Sequence, residues 1–185
     1  MKRYILAATL IFSITLLKAQ TPDSWVEYLT PSAIHSLFAK YTGSFKMEIS
    51  MYSGDEKEPS MITVNSEHSM LLGGRYLEMK QQGKMMGMDY QSVMIVGLNN
   101  TDKKMALTTI TNMGTGTLSL FGAWDEKTKS ATLFGQLTNP VTKNTINVRQ
   151  VLTFIDENTL LIESFDQEDV NPEIKTVQYK LIRKS

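Results

Sequence analysis

His35 and His68 are the only imidazoles in a chain of 185 residues that has no cysteine. Thiol catalysis, disulfides and Cys-ligated zinc or iron–sulfur centres are therefore excluded. A His-rich metal site is excluded too, because the histidines are few and fall on different elements. His68 sits in an alternating run whose even positions are Ile62, Val64, Ser66, His68, Met70 and Leu72. On such an apolar face an imidazole can hold a ligand's polar group or ligate haem or a metal alongside carboxylates. It can also simply bond a hydroxyl or carbonyl within the core. Arg75 shares parity with Leu77, Met79 and Gln81. An arginine so placed pairs with a buried carboxylate, such as Glu163, or receives an anionic ligand. Tyr90 shares a face with Ser92, Met94 and Val96. His68, Arg75 and Tyr90 are thus the leading candidate ligand-binding groups, with Asn112 and Arg149 behind them. Arg149 falls opposite the face of Ile146, Val148, Gln150, Leu152 and Phe154.

No catalytic signature accompanies these residues. The chain has no G-x-S-x-G elbow, H-E-x-x-H pair, Walker loop or G-x-G-x-x-G turn. A Ser/His/Asp arrangement around His68 would have to assemble in space, since triads are defined by geometry. Methionine is abundant, at 12 residues, with Met85, Met86 and Met88 clustered. Thioethers can bind Cu(I), line an adaptable apolar pocket or fill gaps in a core.

The elements that must position these groups are mostly strands. Thr30 as N-cap and Pro31 at the first helical position open one short helix. Its stripe is Ile34, Leu37, Phe38 and Tyr41, and Gly43 stops it. His35 lies at the stripe's edge and reads as a surface histidine. Trp25, upstream, has no assigned place. From Ser44 the period becomes two, broken by turn chemistry at Gly73-Gly74, Asn99-Asn100, Asn139-Pro140 and similar sites. Ten strands are expected, near 44–53, 60–72, 75–82, 88–98, 103–111, 115–124, 130–137, 144–155, 159–166 and 173–183. Their short links predict an antiparallel meander. A sheet that long curls, and closure removes its exposed edges. The expected fold is mainly β: an antiparallel up-and-down barrel of about ten strands with a short N-terminal helix, a β-sandwich being the alternative.

Residues 1–19 read as a secretory signal peptide and 20–185 as a single β-barrel domain. Lys2 and Arg3 precede an apolar run from Tyr4 to Leu17, and small Ala19 marks a cleavage point. That run is shorter than a membrane-spanning helix requires. Cleavage would leave 16 basic and 19 acidic side chains, a net charge of −3. Such a domain has no electrostatic footprint for nucleic acid or an anionic lipid surface. The protein is expected to be exported, periplasmic or secreted.

Several ordered motifs resemble one family. Leu71-Leu72-Gly73-Gly74-Arg75-Tyr76-Leu77 is similar to the I-L-G-G-R-Y-L segment of the DUF1579 family. Met85-Met86-Gly87-Met88-Asp89-Tyr90 is similar to its G-x-M-M-G-M-P-Y turn, with Asp89 in place of proline. Gly97-Leu98-Asn99-Asn100 resembles its G-Y-D-N. Thr111-Asn112-Met113-Gly114-Thr115-Gly116 resembles its D-N-M-G-T-G, with Thr111 replacing the acid. Thr138-Asn139-Pro140-Val141-Thr142-Lys143 resembles its D-P-V-T-G-K, and Val148-Arg149 its following basic position. The resemblance runs from about residue 34 to the end. It implies a calycin-like barrel and supplies neither an activity nor catalytic residues.

The resulting expectation is a barrel that binds a small apolar or amphipathic ligand, its cofactor unspecified. The alternatives are a structural or envelope interaction protein with a filled barrel, and a hydrolase or isomerase using His68.

Overall fold

The computed structural model describes residues 23–53 and 58–185. The segment read as a signal peptide, 1–19, lies outside the described residues. Two short helices, α1 (Asp23–Leu29) and α2 (Ala33–Ala39), precede β1 (Gly43–Met51), β2 (Ser60–Leu71), β3 (Tyr76–Met85), β4 (Met88–Leu98) and β5 (Lys104–Thr111). These are followed by β6 (Thr117–Asp125), β7 (Ser130–Thr138), β8 (Thr145–Asp156), β9 (Thr159–Glu168) and β10 (Ile174–Arg183). Each strand pairs antiparallel with the next, and β1 pairs with β10, so the sheet closes on itself. Closure settles the choice between barrel and sandwich.

Side-chain alternation sets the interior. In β2, Val64, Ser66 and His68 are buried between exposed Thr63, Asn65, Glu67 and Ser69. In β8 the buried residues are Val148, Gln150, Leu152 and Phe154. One bulge matters later. The register of β10 shifts between Lys175 and Val177, and Lys175, opposite Phe165 on the outer wall, meets Glu163 at 2.7 Å. Glu163 therefore pairs with Lys175 rather than with Arg75.

The two ends of the barrel differ. One is sealed by α2 and the turn after it, whose Phe38 and Tyr41 join Phe45 and Phe154 in the core. Phe154 stacks on Phe38 and meets Tyr41 and Trp124 edge to face. The N-cap of α2 is Ser32 rather than Thr30. The reason is His35, whose Nδ1 accepts the Ser32 backbone N–H at 2.9 Å, where a glutamate or glutamine usually serves. His35 is consequently buried, not a surface residue. Burial is the main cause that lowers its pKa.

Upstream, α1 has no buried residue and holds Trp25 on its exposed surface. It is tied down through backbone carbonyls. Asn100 Nδ2 donates to the Glu27 carbonyl at 2.9 Å and the Thr30 carbonyl at 2.6 Å, and Lys103 pairs with Glu27.

Arg183, at the end of β10, locks the junction of α2 and β1. Its guanidinium donates to the Thr42 carbonyl at 2.7 Å, the Glu157 carbonyl at 3.1 Å and the Lys40 carbonyl, and lies over the Phe45 ring. These bonds satisfy the carbonyls a helix leaves open at its C-terminus. Arg183→Ala is expected to lower stability by about 2 kcal/mol, since charge-assisted bonds are lost and carbonyls are left unpartnered. The urea midpoint measures this, and an unchanged midpoint would show that the helical seal holds without Arg183.

Candidate functional site

Among the described residues, the opposite end carries no helix. There, inward positions that would be sealed in a filled barrel are only partly buried. Met51, Ile62, Leu118, Leu137, Ile146 and Val177, from six different strands, pack against the core yet remain part-exposed. Such residues face the lumen by strand parity, so this end is a part-exposed cup without a described helix over it, while Met70, Leu98 and Trp124 are part-exposed at the helical end. Its rim is rich in methionine: Met86 is exposed in the β3–β4 turn, Met88 at the start of β4, and Met113 in the β5–β6 turn. Four other methionines, Met47, Met79, Met94 and Met105, fill the buried interior.

Beneath the cup lies a belt of polar side chains. Tyr90 Oη donates to Ser92 Oγ at 2.8 Å, and Ser92 Oγ to Gln81 Oε1 at 2.6 Å. Gln81 Nε2 donates to Ser66 Oγ at 3.1 Å, which contacts His68 Nε2 at 2.8 Å. His68 Nδ1 ends the chain on the Tyr41 carbonyl at 2.9 Å. A carbonyl only accepts, so Nδ1 carries the proton and Nε2 accepts from Ser66. Every bond then runs in one direction, from Tyr90 on β4 through Gln81 on β3 to His68 on β2. Each member is buried. Burial is the main cause holding the His68 pKa down to about 4, and the Arg183 charge adds to it. The ring is stacked on Phe45 with centroids 4.1 Å apart.

On the facing wall, Gln150 Nε2 donates to Ser164 Oγ at 3.3 Å, while Gln150 Oε1 is buried without a partner. Turning the amide over would only leave its nitrogen unpartnered instead. Asp166 is next on the inward face of β9, and burial raises its pKa. Tyr179 on β10 is raised by burial and then by the nearby Tyr90 and Asp166. The open half of the lumen thus gathers two phenols, a carboxyl and a free amide end.

The five residues singled out from sequence do not form one site. His68 and Tyr90 are joined inside the barrel as described. Arg75 is outside. It precedes β3, in a tight turn where the Leu71 carbonyl accepts from the backbone N–H groups of Gly74 and Arg75. Strand alternation has not begun there, so parity with Leu77 does not carry it inward. Its guanidinium holds the Leu72 carbonyl at 3.0 Å and the Leu29 carbonyl, fastening α1. Asn112 is an exposed turn clamp, accepting from the Gln91 N–H and donating to the Asp89 carbonyl, both at 2.8 Å. Arg149 points outward, forks onto Glu173 and covers Phe165.

The sequence reading missed Gln81, Gln150, Ser164 and Asp166. The available signal was a polar residue at an inward parity, which Gln81 and Gln150 both show.

The outer wall offers other recesses. One of about 730 Å3, crossing β2 to β5, is lined by Asn65, Glu67, Lys80, Gln82 and Gln91 among others. These side chains are outward and solvated; Gln81 and Ser92 of the buried belt also line the recess, each with its hydrogen-bond partners. His68 has no carboxylate partner, because Glu67 lies on the outer face and accepts from Ser44. Among the described residues, no three His, Asp or Glu side chains gather as a metal site. No helix among them is long and apolar enough to cross a membrane.

Comparison with known proteins agrees with this architecture. The family described as protein of unknown function, DUF1579, matches residues 30–183. No curated protein matches the chain. Among solved structures, the crystal structure of Rv2717c from M. tuberculosis is similar, with a TM-score of 0.57 and 12% identity over 84% of this chain and 100% of that one. At that identity the likeness is one of fold alone.

Proposed function

Since the chain belongs to the DUF1579 family, which supplies a fold but no activity, we propose from its lumen that it is an exported carrier holding one small amphipathic molecule in the open half of the barrel. The observation that carries this reading is the part-exposed inward ring above a buried polar belt in which one end of the Gln150 amide lacks a partner. A buried amide end without a partner is unfavourable by about 1–3 kcal/mol, which a bound polar group would recover. Tyr90, a buried member of the belt whose hydroxyl oxygen can still accept a hydrogen bond, supports this reading. His68 supports it from the far end of the chain, with both nitrogens engaged. Flexible methionines at the rim suit an adaptable apolar entrance.

The test uses the neutral probe N-phenyl-1-naphthylamine on protein purified from an export-competent host, whose mass also reports removal of residues 1–19. Saturable fluorescence enhancement with one probe per chain is expected, abolished by the mouth-filling Leu137→Trp and retained by the outer-wall Lys80→Ala. Failure to saturate, or indifference to Leu137→Trp, would sink the carrier reading. An intact mass would count against export.

A second reading, an envelope interaction protein, is supported by the cross-strand pair Phe121 and Phe134 on the outer wall, each 57% exposed.

A further inference from the structure

We infer that the molecule in the cup presents a hydrogen-bond-donating, non-anionic head, an amine best of all, and that a carboxylate head is refused. This rests on the carrier reading above and adds the charge of its ligand.

The first ground is which side chains face the lumen. Its open half presents Tyr90, Gln150, Ser164, Asp166 and Tyr179, with Thr109, Thr111 and Glu168 sharing their inward parity, together with apolar groups. None of these carries a positive charge. Among the described residues, the inward cation is Arg183, which lies at the sealed end and is committed to backbone carbonyls. His68 is buried, neutral near pH 7, and bonded through both nitrogens.

The second ground is how the cations near the mouth are used. Arg149 pairs with Glu173, Lys175 with Glu163, and Lys84 with Asp89, all on the outer wall or rim. Lys143 holds the Pro140 carbonyl. The two arginines that the sequence offered for an anionic ligand, Arg75 and Arg149, are both outside.

A carboxylate entering this lumen would lose its water with no inward cation among the described residues of the open half to compensate and with Asp166 as a neighbour. An ammonium would meet the opposite situation. The Asp166 carboxylate can pair with it, and the Tyr90 oxygen and the free Gln150 Oε1 can accept its remaining protons. A hydroxyl head satisfies the amide end without the ion pair, and so ranks between the two.

The experiment compares dodecylamine, dodecanol and dodecanoate, below their aggregation limits and at pH 7, as competitors of N-phenyl-1-naphthylamine. The expected order is amine, alcohol, carboxylate, with at least about tenfold between the first and last. Asp166→Asn should remove the amine's advantage over the alcohol while leaving the alcohol within about threefold. A carboxylate as tight as the amine, or an amine no tighter than the alcohol, overturns the inference even if Asp166→Asn fails to fold. Saturable probe binding alongside such a ranking leaves the carrier reading standing. If the probe itself does not bind, both fall together.

Discussion

Gly122→Ala is expected to lower the urea midpoint severely. A Cβ at this position would lie 1.8 Å from the Thr132 carbonyl oxygen and 2.8 Å from its carbon. Both atoms are backbone, so no rotamer change can make room. Gly122 pairs with Leu133 across β6 and β7, and the neighbouring pair is Ala123 with Thr132. The close approach is backbone against backbone across a strand pair, which is where a strand tolerates only glycine. Gly135, on the facing strand, repeats the pattern, with a Cβ 2.4 Å from the Ser119 oxygen. Relief requires the strands to part, so about 3 kcal/mol or more should be lost, at the upper end of overpacking effects. That is a large share of the total stability of about 5–15 kcal/mol typical of a domain. Urea unfolding followed by far-ultraviolet circular dichroism reads the effect. Gly114→Ala is the control, because open space surrounds that position. A Gly122→Ala protein with a wild-type midpoint would mean that the wall is not closed as described.

Acid should weaken the fold through His68 before most carboxylates titrate. Its pKa falls from 6.5 to about 4 on folding, chiefly through burial. Between those values the unfolded chain binds the proton and the folded chain does not. Stability therefore declines as pH drops below 6.5, and the loss is complete near the folded value. Its full size is about 3 kcal/mol. Geometry gives the same sign: a protonated Nε2 can no longer accept from Ser66, which leaves that hydroxyl proton without its acceptor. The groups around the ring divide, with Arg183 opposing protonation and Glu67 and the Tyr41 carbonyl favouring it. His35 contributes in the same direction as His68, because burial lowers it too. Asp166 works against both, since its raised pKa gains stability on acidification. Urea midpoints at pH 7 and pH 5, measured for wild type and His68→Gln, separate these contributions. The wild type should lose more stability over the interval. Equal losses would show that His68 is not held neutral by the fold.

Much of the fold was legible because its causes are local. A period of two and the turn residues after each run marked all ten strands to within a few residues. The same alternation correctly turned Ser66, His68, Leu77 and Val148 inward. Local pattern failed where a residue's partner is distant in sequence. His35 reads as exposed beside its own helix and is buried by the barrel end that receives it. The α1 helix has no buried stripe to announce it and is fastened by Asn100 and Arg75 from two separate turns. Arg75 itself misled because parity counts only once a strand has begun.

The sequence by itself determined the strand count, the inward faces and the antiparallel order, because alternation and short links constrain neighbours along the chain. Tertiary structure alone decided which end was sealed and that Gly122 must lack a side chain. It also decided which inward polar residues met, joining Tyr90, Gln81 and His68 into one chain while leaving one end of Gln150 free. Those outcomes depend on closing β1 onto β10 and on the registers of non-local strand pairs, and no local propensity encodes a register between strands a hundred residues or more apart.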